Sequence, residues 1–140
     1  MLIIDASVAY KWVVREPDSG LARGLIGSDT LGGPALILVE VANALWSGVR
    51  RGNVAAAHAS QGVDDLPPLL DRLFPVEPLV APAFSVARDL DHPVYDCVYL
   101  ALSGREGATL VTADGRLLRR VKGTPWATHV RDLASFGPTP

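Results

Sequence analysis

Two short apolar runs constrain this chain most: Met1-Leu2-Ile3-Ile4 near its start and Thr109-Leu110-Val111-Thr112 near its end, each followed closely by an aspartate, Asp5 and Asp114. Both are too short for a helix and too continuously apolar for a strand with one wet face. They read as strands buried on both sides. The longer segments between them carry helical periodicity, and strands alternating with helices predict a parallel sheet covered on both faces. In such sheets ligands bind beyond the carboxyl ends of the strands, which puts Asp5 and Asp114 on the functional rim. Each also has a plainer reading, as the N-cap of the helix that follows it.

The intervening chain reads as follows. Val8 to Val14 forms a short helix, and Leu21 to Ile26 supports a further turn or two. A brief strand falls around Thr30-Leu31, and a long helix runs from about Ala35 to Arg50, closed by Gly52-Asn53. Val54 to Val63 is helical, Pro67-Pro68 makes a corner, and helical structure resumes before Phe74. Phe74 to Pro78 allows a short strand, at an edge because proline has no N–H for central pairing. Leu79 to Leu90 is an amphipathic helix with Pro82 in its first turn, Arg116 to Val121 another helix, and Trp126 to Val130 a last strand. The sum is an α/β fold with about four to five short strands in one domain, residues 1–133, with a tail over 134–140.

Two helices carry acids on otherwise apolar surfaces. In the first, Glu40, Asn43 and Ser47 fall at i, i+3 and i+7 and share one face; in the second, which begins at Pro93, Asp96, Tyr99 and Ser103 repeat that spacing. Asp96 lies in a first turn, where free N–H groups and the helix dipole favour a carboxylate. The narrow stripe on the first helix predicts a rod buried on most sides and open to a site on one. A dimer-facing helix with a solvated seam is the alternative.

Convergence of Asp5, Glu40, Asp96 and Asp114 calls for a cation, because carboxylates a few ångströms apart repel and tend to protonate unless compensated. His58, His92 and His129 are dispersed and suit surface or helix-end roles, and Cys97 reads as a packed thiol, so no zinc-type cluster is available. An oxygen-only set points to Mg²⁺ or Mn²⁺. A cation held this way activates water and stabilises charge on a phosphodiester, which is nuclease chemistry. The net charge of −2 gives no global attraction to nucleic acid. Contact with phosphates would fall to Arg50 and Arg51, or to Arg116, Arg119, Arg120 and Lys122, residues equally explicable as solvated helix ends. A lone cysteine excludes an internal disulfide, and without a long apolar run or leader a cytoplasmic, non-membrane protein is expected.

Ile3-Ile4-Asp5-Ala6-Ser7, Glu40-Val41-Ala42-Asn43-Ala44-Leu45, Tyr95-Asp96-Cys97-Val98-Tyr99-Leu100-Ala101-Leu102 and Leu110-Val111-Thr112-Ala113-Asp114 resemble, in order, the successive motifs of the PIN-domain family. The similarity is closest to VapC-type toxins and extends from residue 2 to about 133. It implies a three-layer α/β/α fold and a metal-dependent endoribonuclease, using Mg²⁺ or Mn²⁺. It also implies a homodimer and a small cognate antitoxin as partner. Position by position, Asp5, Glu40, Asp96 and Asp114 match the acidic metal-binding and catalytic set, Ser7 and Thr112 match hydroxyl positions beside it, and Asn43 matches a supporting polar position. Pro93, in place of a small polar cap, and Cys97, in place of a common alanine, depart from the pattern without removing a ligand. The alternatives are a PIN-fold protein that binds RNA or antitoxin without cleaving, and a receiver-like domain phosphorylated at Asp5. The second lacks the Asp-x-Asp and the late lysine that such chemistry uses.

Overall fold

The structure, a computed structural model, describes residues 1–138. The last part of the expected tail, Thr139-Pro140, lies outside the described residues. The elements in chain order are β1 (Leu2–Ile4), α1 (Ala6–Val13), α2 (Ser19–Gly24), β2 (Leu31–Pro34), α3 (Leu36–Arg50), α4 (Ala56–Asp65), β3 (Arg72–Phe74), α5 (Glu77–Leu90), α6 (Val94–Glu106), β4 (Thr109–Thr112), α7 (Gly115–Val121) and β5 (Val130–Asp132). The strands form one parallel sheet in the order β3-β2-β1-β4-β5. Helices α1, α3 and α4 pack on one another, and α5 packs on α6 in a second layer. This is the expected α/β/α arrangement.

From β1 the chain winds outward to β2 and β3, then returns to the other side of β1 for β4, so the strand order reverses between β1 and β4. The crevice at that reversal is where an open α/β sheet binds its ligand. Register does the rest: Ile4 lies opposite Val111, and the Asp5 N–H donates to the Val111 carbonyl at 3.1 Å, so Asp5 and Thr112 leave the sheet side by side.

Helix α6 is the inner rod. Every residue from Cys97 to Ser103 is buried, which matches a helix apolar nearly all round. It packs on β1, β2 and β4, and Tyr99, Leu100 and Leu102 are fully enclosed. Each such large side chain contributes about 1.5–3 kcal/mol by leaving water. Gly32 lets the edge of the sheet close: a Cβ there would lie 3.1 Å from the Phe74 ring and 3.3 Å from the Met1 sulfur.

Several boundaries differ from the sequence reading. The edge strand ends at Phe74 instead of beginning there, because Glu77 and Pro78 are suited to a helix start and open α5. Pro82 therefore sits inside α5, not in its first turn, and costs the helix one backbone bond. Helical structure before Phe74 is confined to a 3-10 turn, Pro67–Leu69. Trp126 belongs to another 3-10 turn, Pro125–His129, in which Thr124 accepts from the Trp126 N–H, and the last strand follows it. Helix α3 buries only Ile37, Val41, Leu45 and Gly48, while Val39 and Trp46 are 68% and 56% exposed; it is not enclosed on most sides. Residues 134–136 continue a 3-10 turn, Leu133–Phe136, whose Leu133 is buried. Among the described residues no helix is long and apolar enough to cross a membrane.

Candidate functional site

Asp5 follows β1 directly and is 5% exposed. It occupies the N-cap position of α1, yet its side chain makes no cap hydrogen bond. Instead its Oδ2 accepts two hydroxyl bonds, from Ser7 Oγ at 2.6 Å and from Thr112 Oγ1 at 2.7 Å. Each hydroxyl in turn accepts a backbone N–H, Ser7 from Ala113 at 2.9 Å and Thr112 from Asp114 at 3.0 Å. A backbone N–H can only donate, so each hydroxyl accepts there and keeps its single proton for the shorter bond to Asp5. No buried side-chain oxygen or nitrogen is left unpaired among the described residues, so the second Asp5 oxygen, which accepts no such bond, is not fully sealed from solvent.

Glu40 comes from α3 and accepts a 2.7 Å bond from the hydroxyl of Tyr99 on α6. Tyr99 is fully buried, and burial together with the surrounding carboxylates pushes its phenol well above the usual range, so it remains a donor. Asp96 lies in the first turn of α6, which starts at Val94 with Pro93 as its N-cap. Its Oδ2 is 2.6 Å from His92 Nε2. Asp114 caps α7, accepting from the Arg116 N–H at 2.9 Å, so its plainer reading describes what its side chain does.

These carboxylates feel one another. Burial is the main influence raising the Asp5 carboxyl; the Ser7 and Thr112 bonds pull it back, and the charges of Asp96 and Asp114 raise it further. Glu40 is likewise raised by burial, lowered by its Tyr99 bond, and raised by Asp5 and Asp96. Yet among the described residues no three acids, histidines or cysteines are spaced to close around an ion. A zinc site would need such a cage, whereas Mg²⁺ keeps several waters and takes one or two carboxylates directly. The donor set, hard oxygens with one Asp5 atom left without a hydrogen bond and with Asp5 and Glu40 each raised in part by neighbouring carboxylates, fits the second kind of ion.

The remaining sequence candidates separate. Asn43 is exposed and lines, with Leu36, Val39, Glu40 and Tyr95, a pocket of about 320 Å³. Ser103 is buried and bonds the Ala108 carbonyl, closing the end of α6, so it has no part in the crevice. Cys97 is enclosed, and burial holds its thiol at about 11, which leaves it inert. His92, assigned by its isolation to a helix-end role, is brought to Asp96. The signal was its i, i+4 spacing to that residue.

A five-stranded parallel α/β/α protein with an acidic crevice at its strand-order reversal is the class this geometry defines. The PIN domain family profile matches residues 2–123, and the chain belongs to that family. It is 29% identical over 117 residues to Ribonuclease VapC12 of Mycobacterium tuberculosis, spanning 84% of this chain and 89% of that one. To Ribonuclease VapC3 of Pyrobaculum aerophilum it is 30% identical over 122 residues, spanning 85% and 93%. The crystal structure of PAE2754 from Pyrobaculum aerophilum superposes with a TM-score of 0.67 at 26% identity, over 96% of this chain and 84% of that one.

Proposed function

We propose that this chain is a metal-dependent endoribonuclease and the toxin of a VapBC-type pair, with residues 1–133 as its PIN domain. The observation that carries the reading is Asp5, locked at one oxygen by Ser7 and Thr112 and open at the other beside three further acids. Membership of the PIN domain family, and relatives named as VapC ribonucleases, support it.

In this reading Asp5, Glu40, Asp96 and Asp114 would hold Mg²⁺ or Mn²⁺, one or two of them directly and the others through its waters. When bound, the ion supplies activation of water and charge stabilisation at the phosphodiester. The chain's own residues prepare for it. Ser7 and Thr112 orient Asp5 and favour its charged form, Tyr99 does the same for Glu40, and His92 holds one oxygen of Asp96. Asp5, Glu40 and Asp96 are thus each backed by a side-chain partner, the arrangement by which outer groups tune a metal site.

The proposal extends to partners: an RNA substrate, a small antitoxin, and a second copy of the chain, in the cytoplasm. Exposed apolar residues Val39, Trp46, Val80, Phe84 and Tyr95 on α3, α5 and α6 supply surface for protein partners. The test is chelation and restoration. Wild-type protein stripped with EDTA should leave a structured RNA intact and cut it once Mn²⁺ or Mg²⁺ is returned; cleavage that persists undiminished in EDTA refutes metal dependence.

A further inference from the structure

Beside the acids lies a pocket of opposite sign. It has a volume of about 320 Å³ and is lined by Asp91, His92, Pro93, Arg116, Arg119 and Arg120. The arginines share one face of α7, at i, i+3 and i+4, and all are exposed. Arg119 and Arg120 lie in the last turn, where the helix dipole favours a cation; Arg116 lies in the first, where it does not. Helix stability therefore leaves Arg116 unexplained.

Nor do neighbouring acids neutralise the group. Arg120 donates to the Asp91 carbonyl at 2.6 Å and to its carboxylate at 3.2 Å, with that carboxylate fully exposed. Arg116 and Arg119 make no ion pair among the described residues. His92 is taken up by Asp96. The pocket thus keeps an excess of guanidinium charge in a protein whose net charge is −2.

Three links make it continuous with the acidic crevice. His92 lines it and bonds Asp96 at 2.6 Å. The Arg116 N–H bonds Asp114 at 2.9 Å. Arg119 folds back over Gly115, so that a Cβ there would meet its Nη1 at 3.1 Å; the glycine after Asp114 makes room for the guanidinium.

We propose that Arg116, Arg119 and Arg120 form a subsite for a backbone phosphate of the RNA strand, adjacent to the phosphodiester that the acids address. The inference rests on the ribonuclease reading above. Planar guanidinium groups match phosphate oxygens in paired hydrogen bonds, and a strand repelled by the acids needs such a local anchor to approach them. The subsite is blind to base identity and acts on binding.

The test is RNA affinity without cleavage. Binding of a mixed-sequence single-stranded RNA is followed by fluorescence anisotropy in EDTA across a salt series, for wild type, Arg116→Gln/Arg119→Gln, and Arg88→Gln as an exposed control on α5. Thermal melts check that the variants are folded, and the same wild-type preparation is assayed for Mn²⁺-dependent cleavage. Loss of this one phosphate contact should flatten the slope of log affinity against log salt by about 0.7, the value for each single-strand phosphate neutralised. The control should match wild type. If the double variant binds with the control's affinity and slope while wild type cleaves, the subsite is wrong and the ribonuclease reading stands. A flattened slope with a wild type that never cleaves sinks the ribonuclease reading and keeps the phosphate site. No binding by wild type at low salt, or arginine dependence seen for a polyglutamate peptide but not for RNA, overturns the subsite.

Discussion

The hydroxyl of Tyr99 donates to Glu40 Oε1 at 2.7 Å, joining the fully buried core of α6 to an acid on α3. That bond is one of the influences that lower the Glu40 carboxyl against its burial. Tyr99→Phe should keep the fold, cost about 0.5–1.5 kcal/mol of stability, and weaken Mn²⁺ binding about tenfold, as loss of a group behind a ligand does. Denaturant melts and calorimetric Mn²⁺ titration measure the two effects; unchanged metal affinity would leave Tyr99 a purely structural residue.

His92 should act through Asp96, not on substrate, since its Nε2 is occupied by that carboxylate. His92→Ala is expected to lower Mn²⁺ affinity about 10–100-fold. Gln can still donate from a similar reach, so His92→Gln should recover part of the loss. Equal defects in the two variants would argue that ring packing, and not the hydrogen bond, is what matters.

The raised Asp5 carboxyl sets a pH dependence for the metal-free protein. Its folded value lies above the unfolded one, chiefly through burial, so its contribution is complete below the unfolded value and is lost as pH rises through the folded value. Asp5→Asn cannot ionise and should escape that loss. In EDTA the variant's melting temperature should exceed that of wild type, with the gap widening from acidic toward neutral pH. Mn²⁺ at about a hundred times its dissociation constant should then stabilise wild type by about 2.7 kcal/mol and leave the variant nearly unmoved. A wild type that melts higher than Asp5→Asn throughout the pH range in EDTA contradicts this account.

Gly62 lies where α4 meets α1, and a Cβ there would overlap the Val13 side chain. Val13 is β-branched and has little freedom to turn away. Gly62→Ala should therefore destabilise by about 1–3 kcal/mol through overpacking, read as a lower midpoint in urea. Cleavage per folded molecule should not change, because Val13 takes no part in the crevice.

Much of the candidate site was legible because its chemistry and its periodicity coincide. Asp5 ends an apolar run short enough to be only a strand, and Glu40 and Asp96 each head a helical stripe. Other features depend on backbone paths that no period encodes. His92 reaches Asp96 because Asp91 adopts a left-handed conformation, φ 49°, after α5 and turns the chain back. Ser103 keeps the stripe's spacing but spends its hydroxyl on the chain turning out of α6. The prolines near 75–78 read as strand-edge residues, yet their fixed geometry equally suits a helix start, and α5 claims Pro78.

The most direct measurement is single-turnover cleavage of a structured RNA in Mn²⁺ by wild type and by Asp5→Asn. Asparagine keeps the shape of Asp5 and can accept the Ser7 and Thr112 bonds, while removing the charge that a cation needs. The account predicts cleavage reduced at least about a hundredfold, equivalent to about 2.7 kcal/mol in the barrier, in a variant that melts no lower than wild type in EDTA. Asp5→Asn cutting RNA at the wild-type rate would contradict it.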